Sequence, residues 1–114
     1  MNIPVNFETS KKLKEKGFDK SCFSFYRING KIDYYSLCLN VNKWTNNFAA
    51  PTIVDVVSWL YEKHNIWMWV EMYEKDNKFT PQIPKANLER VLGYYDTPEE
   101  AYVEAIEYCL NNLL

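Results

Sequence analysis

Histidine, cysteine and clustered carboxylates are the side chains through which a chain of 114 residues could do nucleophilic, acid–base or metal chemistry, and here they are few and scattered. His64 is the sole histidine. A Ser-His-Asp triad or a Cys-His dyad would have to be built on it, yet no Ser or Cys pattern surrounds it. Its place at the end of a helical stretch gives it a plainer role, a ring at the negative end of the helix dipole. Cys22, Cys38 and Cys109 are widely spaced, so neither a zinc ribbon nor a thioredoxin-type pair is specified. Their odd number and apolar neighbours predict buried free thiols in a reducing compartment. Glu71, Glu74 and Asp76 lie close together but lack the glycine and bidentate Glu of a calcium loop, and read as a solvated turn. Gly17, Gly30 and Gly93 are too dispersed to cradle a phosphate. No catalytic residue, metal ligand or cofactor is therefore expected. A small hydrolase whose site is assembled only in three dimensions remains as an alternative to this non-enzyme reading.

The aromatic residues carry more information. They are 17% of the chain, with four Trp, nine Tyr and six Phe. Trp67, Trp69 and Tyr73 alternate along one strand and so share a face, while Tyr26, Tyr34 and Tyr35 line an earlier hairpin. Trp44 and Phe48 sit in a polar, Asn-rich segment that could cover the Trp67/Trp69 face. Trp67, Trp69, Tyr73 and Trp44 are the candidate binding residues. Two functions compete: a surface for a protein partner or a second copy of the chain, and a stacking platform for a nucleotide or a single nucleic-acid strand beside Lys11 to Lys20. Burial of the face as core is the outcome that would remove both.

Charge favours the first. Residues 1–50 carry eight basic and four acidic side chains, a net of +4, and residues 51–114 carry five and eleven, a net of −6, which sum to the −2 of the whole. Two oppositely charged halves that attract each other account for this without a polyanion. The Trp strand itself has no interleaved Lys or Arg, and the acids next to it repel phosphate.

The elements that must position these residues are legible in the caps and periodicities. A first helix over about residues 7–16 has Asn6 as N-cap, Gly17 as a left-handed C-terminal residue, and Phe18 placed to pack on Leu13. Cys22–Ile28 and Lys31–Leu39 flank Asn29-Gly30, the signature of a two-residue type I′ hairpin. That loop pairs Ile28 with Lys31, Phe25 with Tyr34 and Phe23 with Ser36, and puts Phe23 and Phe25 on one face. Thr52 and Asp55 form a capping box for a second helix with Ile53, Val56, Val57, Leu60 and His64 on its apolar face, closed by Asn65. A strand over Ile66–Tyr73 follows, with Ile66, Met68, Val70 and Met72 opposite the aromatic side. A charged turn leads to Phe79–Ile83, an edge strand at most because of Pro81 and Pro84. Residues 85–96 leave room for one helical turn through Leu88, Val91 and Leu92. Thr97, Pro98, Glu99 and Glu100 start the last helix, whose buried stripe is Tyr102, Ala105, Ile106, Cys109 and Leu113.

The expectation is a single α+β domain over residues 1–114, order α-β-β-α-β-β-α, its antiparallel strands packed by the second and last helices. The run Phe48-Ala49-Ala50-Pro51-Thr52 followed by Trp59-Leu60 and a Trp-rich strand resembles an uncharacterised family of small proteins found in phages and prophages of gut Bacteroidales. The closing Tyr95-Asp96-Thr97-Pro98-Glu99-Glu100-Ala101 and the opening helix ending Gly17-Phe18 are similar too. The resemblance spans most of the chain and implies a phage or prophage origin, with no activity attached to it. The amino-terminal Met1-Asn2-Ile3-Pro4 lacks the basic and apolar segments of a signal peptide, and no apolar run approaches membrane-spanning length. A cytoplasmic location is expected, in the host cell if the chain is phage encoded, with no membrane partner.

Overall fold

The structure, a computed structural model, describes residues 3–86 and 93–114. The helical turn expected through Leu88, Val91 and Leu92 lies outside the described residues. The fold is α+β with antiparallel sheets: α1 (Phe7–Glu15), β1 (Cys22–Arg27), β2 (Ile32–Leu39), β3 (Asn47–Ala49), α2 (Ile53–His64), β4 (Trp69–Tyr73), β5 (Lys78–Gln82) and α3 (Pro98–Tyr108). The main elements follow the expected order. The short β3 is an addition, drawn from the Asn-rich segment read as a connection. The chain divides into two compact units, Met1–Asp55 and Val56–Leu114, so the first turn of α2 falls in one and the remainder in the other.

In the first unit, α1 is fixed at both ends by its own sequence. Asn6 Oδ1 accepts from the Thr9 amide at 2.8 Å. Gly17 adopts φ +88°, which lets the Phe18 amide donate to Leu13 O (2.9 Å) and the Gly17 amide to Lys14 O (3.1 Å). Leu13 and Phe18 are both buried, as this type of helix ending requires. Lys14 then ties the helix to the segment before and within β3. Its Nζ donates to the carbonyls of Trp44, Thr45 (3.2 Å) and Asn47 (2.7 Å), which uses all three ammonium protons. The same nitrogen lies 4.9 Å from the centre of the Phe48 ring.

The three strands order as β2-β1-β3. The hairpin register differs from the expected one by a residue: Tyr26 faces Ile32, Phe25 faces Asp33 and Ser24 faces Tyr34. The cause is the loop. The Arg27 amide donates to Lys31 O and the Gly30 amide to Arg27 O, closing three residues, 28–30, rather than two. Gly30 takes φ +84°, as the last residue of such a loop must, and Asn29 Oδ1 caps the Lys31 amide at 3.0 Å. A second departure follows further along. Cys22 pairs with Leu39, so β2 spends four residues, Tyr35 to Cys38, where β1 spends only Phe23. The bulge separates the two phenylalanines: Phe25 is buried, whereas Phe23 is 58% exposed. It also leaves Cys38 exposed, so only Cys22 and Cys109 are the buried thiols expected of all three.

The capping box forms as read from the sequence. The Asp55 amide donates to Thr52 Oγ1 at 3.3 Å and the Thr52 amide to Asp55 Oδ2 at 3.2 Å. In the second unit, α2 ends at Asn65, which adopts φ +55° while the Ile66 amide donates to Leu60 O. Ile66 and Met68 are buried, but regular pairing begins only at Trp69, three residues later than expected. β4 and β5 pair without interruption from Trp69↔Gln82 to Tyr73↔Lys78. The far side of β5 is held by Tyr95, whose amide and carbonyl exchange hydrogen bonds with Phe79 at 2.7 and 2.8 Å. Thr97 Oγ1 caps α3 by accepting from the Glu100 amide, and α3 packs on β4 and β5. Ala101, Ala105 and Ile106 are buried. The last turns widen into a π-type helix over Cys109–Leu113, in which Cys109 and Leu110 are buried; Tyr102 and Leu113, expected in the buried stripe, are only half-buried.

Candidate functional site

The face singled out in the sequence is a surface. Trp67, Trp69 and Tyr73 are 51%, 37% and 49% exposed, so the alternative in which they form core does not hold. Two of them lie on β4 and one on the approach to it, and strand alternation places Glu71 between Trp69 and Tyr73. The Trp69 indole Nε1–H donates to Glu71 Oε1 at 3.1 Å, which orients the ring along the strand and holds the carboxylate within the aromatic row. Across the ribbon, Gln82, Thr80 and Lys78 oppose Trp69, Glu71 and Tyr73. Lys78 is tied to Asp96, whose hydrogen bond and charge raise the lysine pKa.

Two further rings extend the row. Tyr61 meets Trp67 edge-on at 5.3 Å between centroids, and Tyr94 meets Tyr73 in the same way at 5.5 Å. Both are exposed. Neither was picked out from the sequence. Tyr61 could have been, as a large aromatic on the polar side of α2. Tyr94 could not, because its place depends on the return of the chain alongside β5. Trp44 belongs to the first unit, where it is exposed, with Lys43 Nζ 6.0 Å from its ring centre.

The other sequence candidates hold no reactive arrangement. The His64 ring packs edge-on against Trp59 at 4.7 Å, and its carbonyl accepts from Lys85 Nζ. Burial pushes the Cys22 thiol up to about 12, helped by the nearby Asp55 charge, and burial does the same for Cys109. Both thiols are protonated and unreactive at neutral pH. Among the described residues no three His, Cys, Asp or Glu side chains converge as a metal site. A recess of about 360 Å³ beside the β2 bulge is lined by Cys22, Phe23, Tyr34, Cys38, Thr52 and Asp55, but its one carboxylate is engaged in capping α2.

No family model matches the chain, and neither a curated protein nor a solved structure does. The geometry alone must therefore carry the functional reading. No helix is long and apolar enough to cross a membrane among the described residues.

Of the three hairpin tyrosines, Tyr34 is exposed, whereas Tyr26 and Tyr35 are engaged within the fold. The Tyr26 hydroxyl donates to Val5 O at 2.7 Å and its ring packs on Phe7, while Tyr35 stacks on Phe25 at 4.8 Å. Of the lysines beside them, Lys14 is consumed by three carbonyls and Lys11 pairs with Glu8 while lying 4.7 Å from the Phe7 ring centre.

Proposed function

We propose that the protein is a non-catalytic interaction module that binds a protein partner through the aromatic face of β4. The observation that carries this reading is the exposure of Trp69 and Tyr73 at alternate positions of β4, with Trp67 exposed on the approach to it. Large aromatic side chains concentrated on a surface are what binding sites use, since each can supply about 2 kcal/mol or more when desolvated by a partner. Glu71 in the centre of the row disfavours a phosphate backbone, which argues for a protein over a nucleic acid. The phage or prophage setting rests on the sequence resemblance.

A displayed library of random peptides, selected on the immobilised wild-type chain, tests the proposal. Selected sequences should lose most of their binding to Trp69→Ala while that variant retains its far-ultraviolet circular dichroism. A wild-type chain that selects no peptide and instead binds an oligothymidine, with affinity falling steeply as salt is added, would replace the proposal with the single-strand reading.

A further inference from the structure

The interaction reading leaves the chemistry of the partner open, and the structure narrows it. β4 is an edge strand: its sheet has the order β4-β5, and the opposite side of β5 is occupied by Tyr95. Among the described residues the outer edge of β4 is therefore unpaired. Sheet edges are commonly protected by Lys or Pro. Trp69-Val70-Glu71-Met72-Tyr73 contains neither, whereas β5 carries Pro81. An extended segment laid antiparallel along β4 would pair its backbone with that edge and place every second side chain opposite Trp69, Glu71 and Tyr73. The repeat along the aromatic row, about 6.7 Å for alternate residues, equals that of the incoming strand.

The charge of those incoming side chains follows from what the row contains and lacks. Among the described residues no cation lies over Tyr61, Trp67, Trp69, Tyr73 or Tyr94, and the lysine across from Tyr73 is bound to Asp96. The row instead holds the Glu71 carboxylate, and the turn that follows carries Glu74 and Asp76 on either side of Lys75. Residues 56–114 carry five basic and ten acidic side chains, a net of −5. Aromatic faces flanking a carboxylate bind guanidinium or ammonium groups, by attraction to the ring faces and by ion pairing between them. We infer that the occupant of this face is an extended, cationic segment of a protein partner, added as a strand to the open edge of β4 with alternate Arg or Lys side chains over Trp69, Glu71 and Tyr73. This inference rests on the interaction-module reading and specifies its partner class.

Three synthetic nine-residue peptides with alternating Thr or Val separate the two. One has Arg at every second position, one has citrulline there, and one has Glu. Citrulline keeps the size and planarity of Arg, removes the charge and exchanges one NH2 donor group for a carbonyl acceptor. Isothermal titration of the wild-type chain should show binding of the Arg peptide, weakened roughly tenfold for citrulline and lost for Glu. Glu71→Gln keeps an acceptor for the Trp69 indole and should weaken the Arg peptide by a similar factor while leaving the citrulline peptide unchanged. Equal affinity for the Arg and citrulline peptides, abolished by Trp69→Ala, would overturn the cationic inference and leave the docking face intact. No binding of any of the three, alongside library-selected peptides that need Trp69, would overturn it in the same way. No peptide of either kind binding would overturn both.

Discussion

The two units use aromatic rings and lysines differently. In residues 1–55 the rings meet cations of their own chain: Lys11 lies over Phe7, Lys14 over Phe48 and Lys43 over Trp44. Phe7 also packs against both Tyr26 and Phe48, so the interaction is spent in holding α1 to the sheet. Among the described residues of 56–114, the rings of the β4 row meet one another and a carboxylate. The ring–cation pairing made at Phe7, Phe48 and Trp44 in the first unit, where Phe23 and Tyr34 are exposed without it, has no counterpart in the β4 row among the described residues. Closed pairs report on stability and open rings on binding, and substitutions should separate along that line.

The largest effect on stability is expected at Lys14. Replacement by Met keeps the aliphatic stem and removes three charge-assisted hydrogen bonds, and urea unfolding should show a loss of about 2 kcal/mol after water replaces part of what is lost. An unchanged midpoint would mean that the carbonyls of residues 44–47 are held by other contacts, and the contrast between the units would weaken. Gly30→Ala should cost about 1–2 kcal/mol. The new methyl would sit 3.2 Å from Phe7 Cδ2 on a backbone at φ +84°, so the turn and the Phe7 cluster cannot both stay in place.

The alkaline limb of stability compares one thiol from each unit. A free thiol in the unfolded chain ionises near 9, while burial keeps Cys22 and Cys109 protonated up to about 12. The unfolded state therefore binds fewer protons across this window. The stabilisation is complete below pH 9 and is lost as pH rises toward 12, by an amount on the order of 1 kcal/mol per thiol at pH 10 and more beyond it. Cys109→Ala should flatten that limb relative to the wild type in pH-dependent denaturation. An identical slope in the two proteins would show that Cys109 is accessible to solvent.

How much of this was legible in the sequence depends on the range of the interactions. The caps at Asn6, Thr52 and Thr97 and the Gly17-Phe18 ending were readable because each is settled within about five residues. The hairpin register was not. Asn29-Gly30 suits a two-residue loop with both residues left-handed and equally a three-residue loop with only Gly30 left-handed, and cross-strand packing made the choice. The bulge at Tyr35–Cys38 has no local signal, so the exposure of Phe23 and Cys38 was misjudged with it. For the candidate site, alternation groups Trp69 and Tyr73, which lie four residues apart on the regular strand β4. Exposure of that face, and the addition of Tyr94 through the Tyr95–Phe79 bridge, depend on chain segments distant in sequence.

The smallest expected change in stability is at Trp69, and it carries the account. A ring more than one-third exposed, with its indole bonded only to a surface carboxylate, should cost no more than about 1 kcal/mol of folding stability when truncated to Ala. The most direct test measures both properties on one sample of Trp69→Ala: its urea midpoint and its titration with the arginine peptide. The account predicts a midpoint close to wild type and binding reduced at least tenfold. A variant that unfolds, or one that binds the peptide as the wild type does, would contradict it.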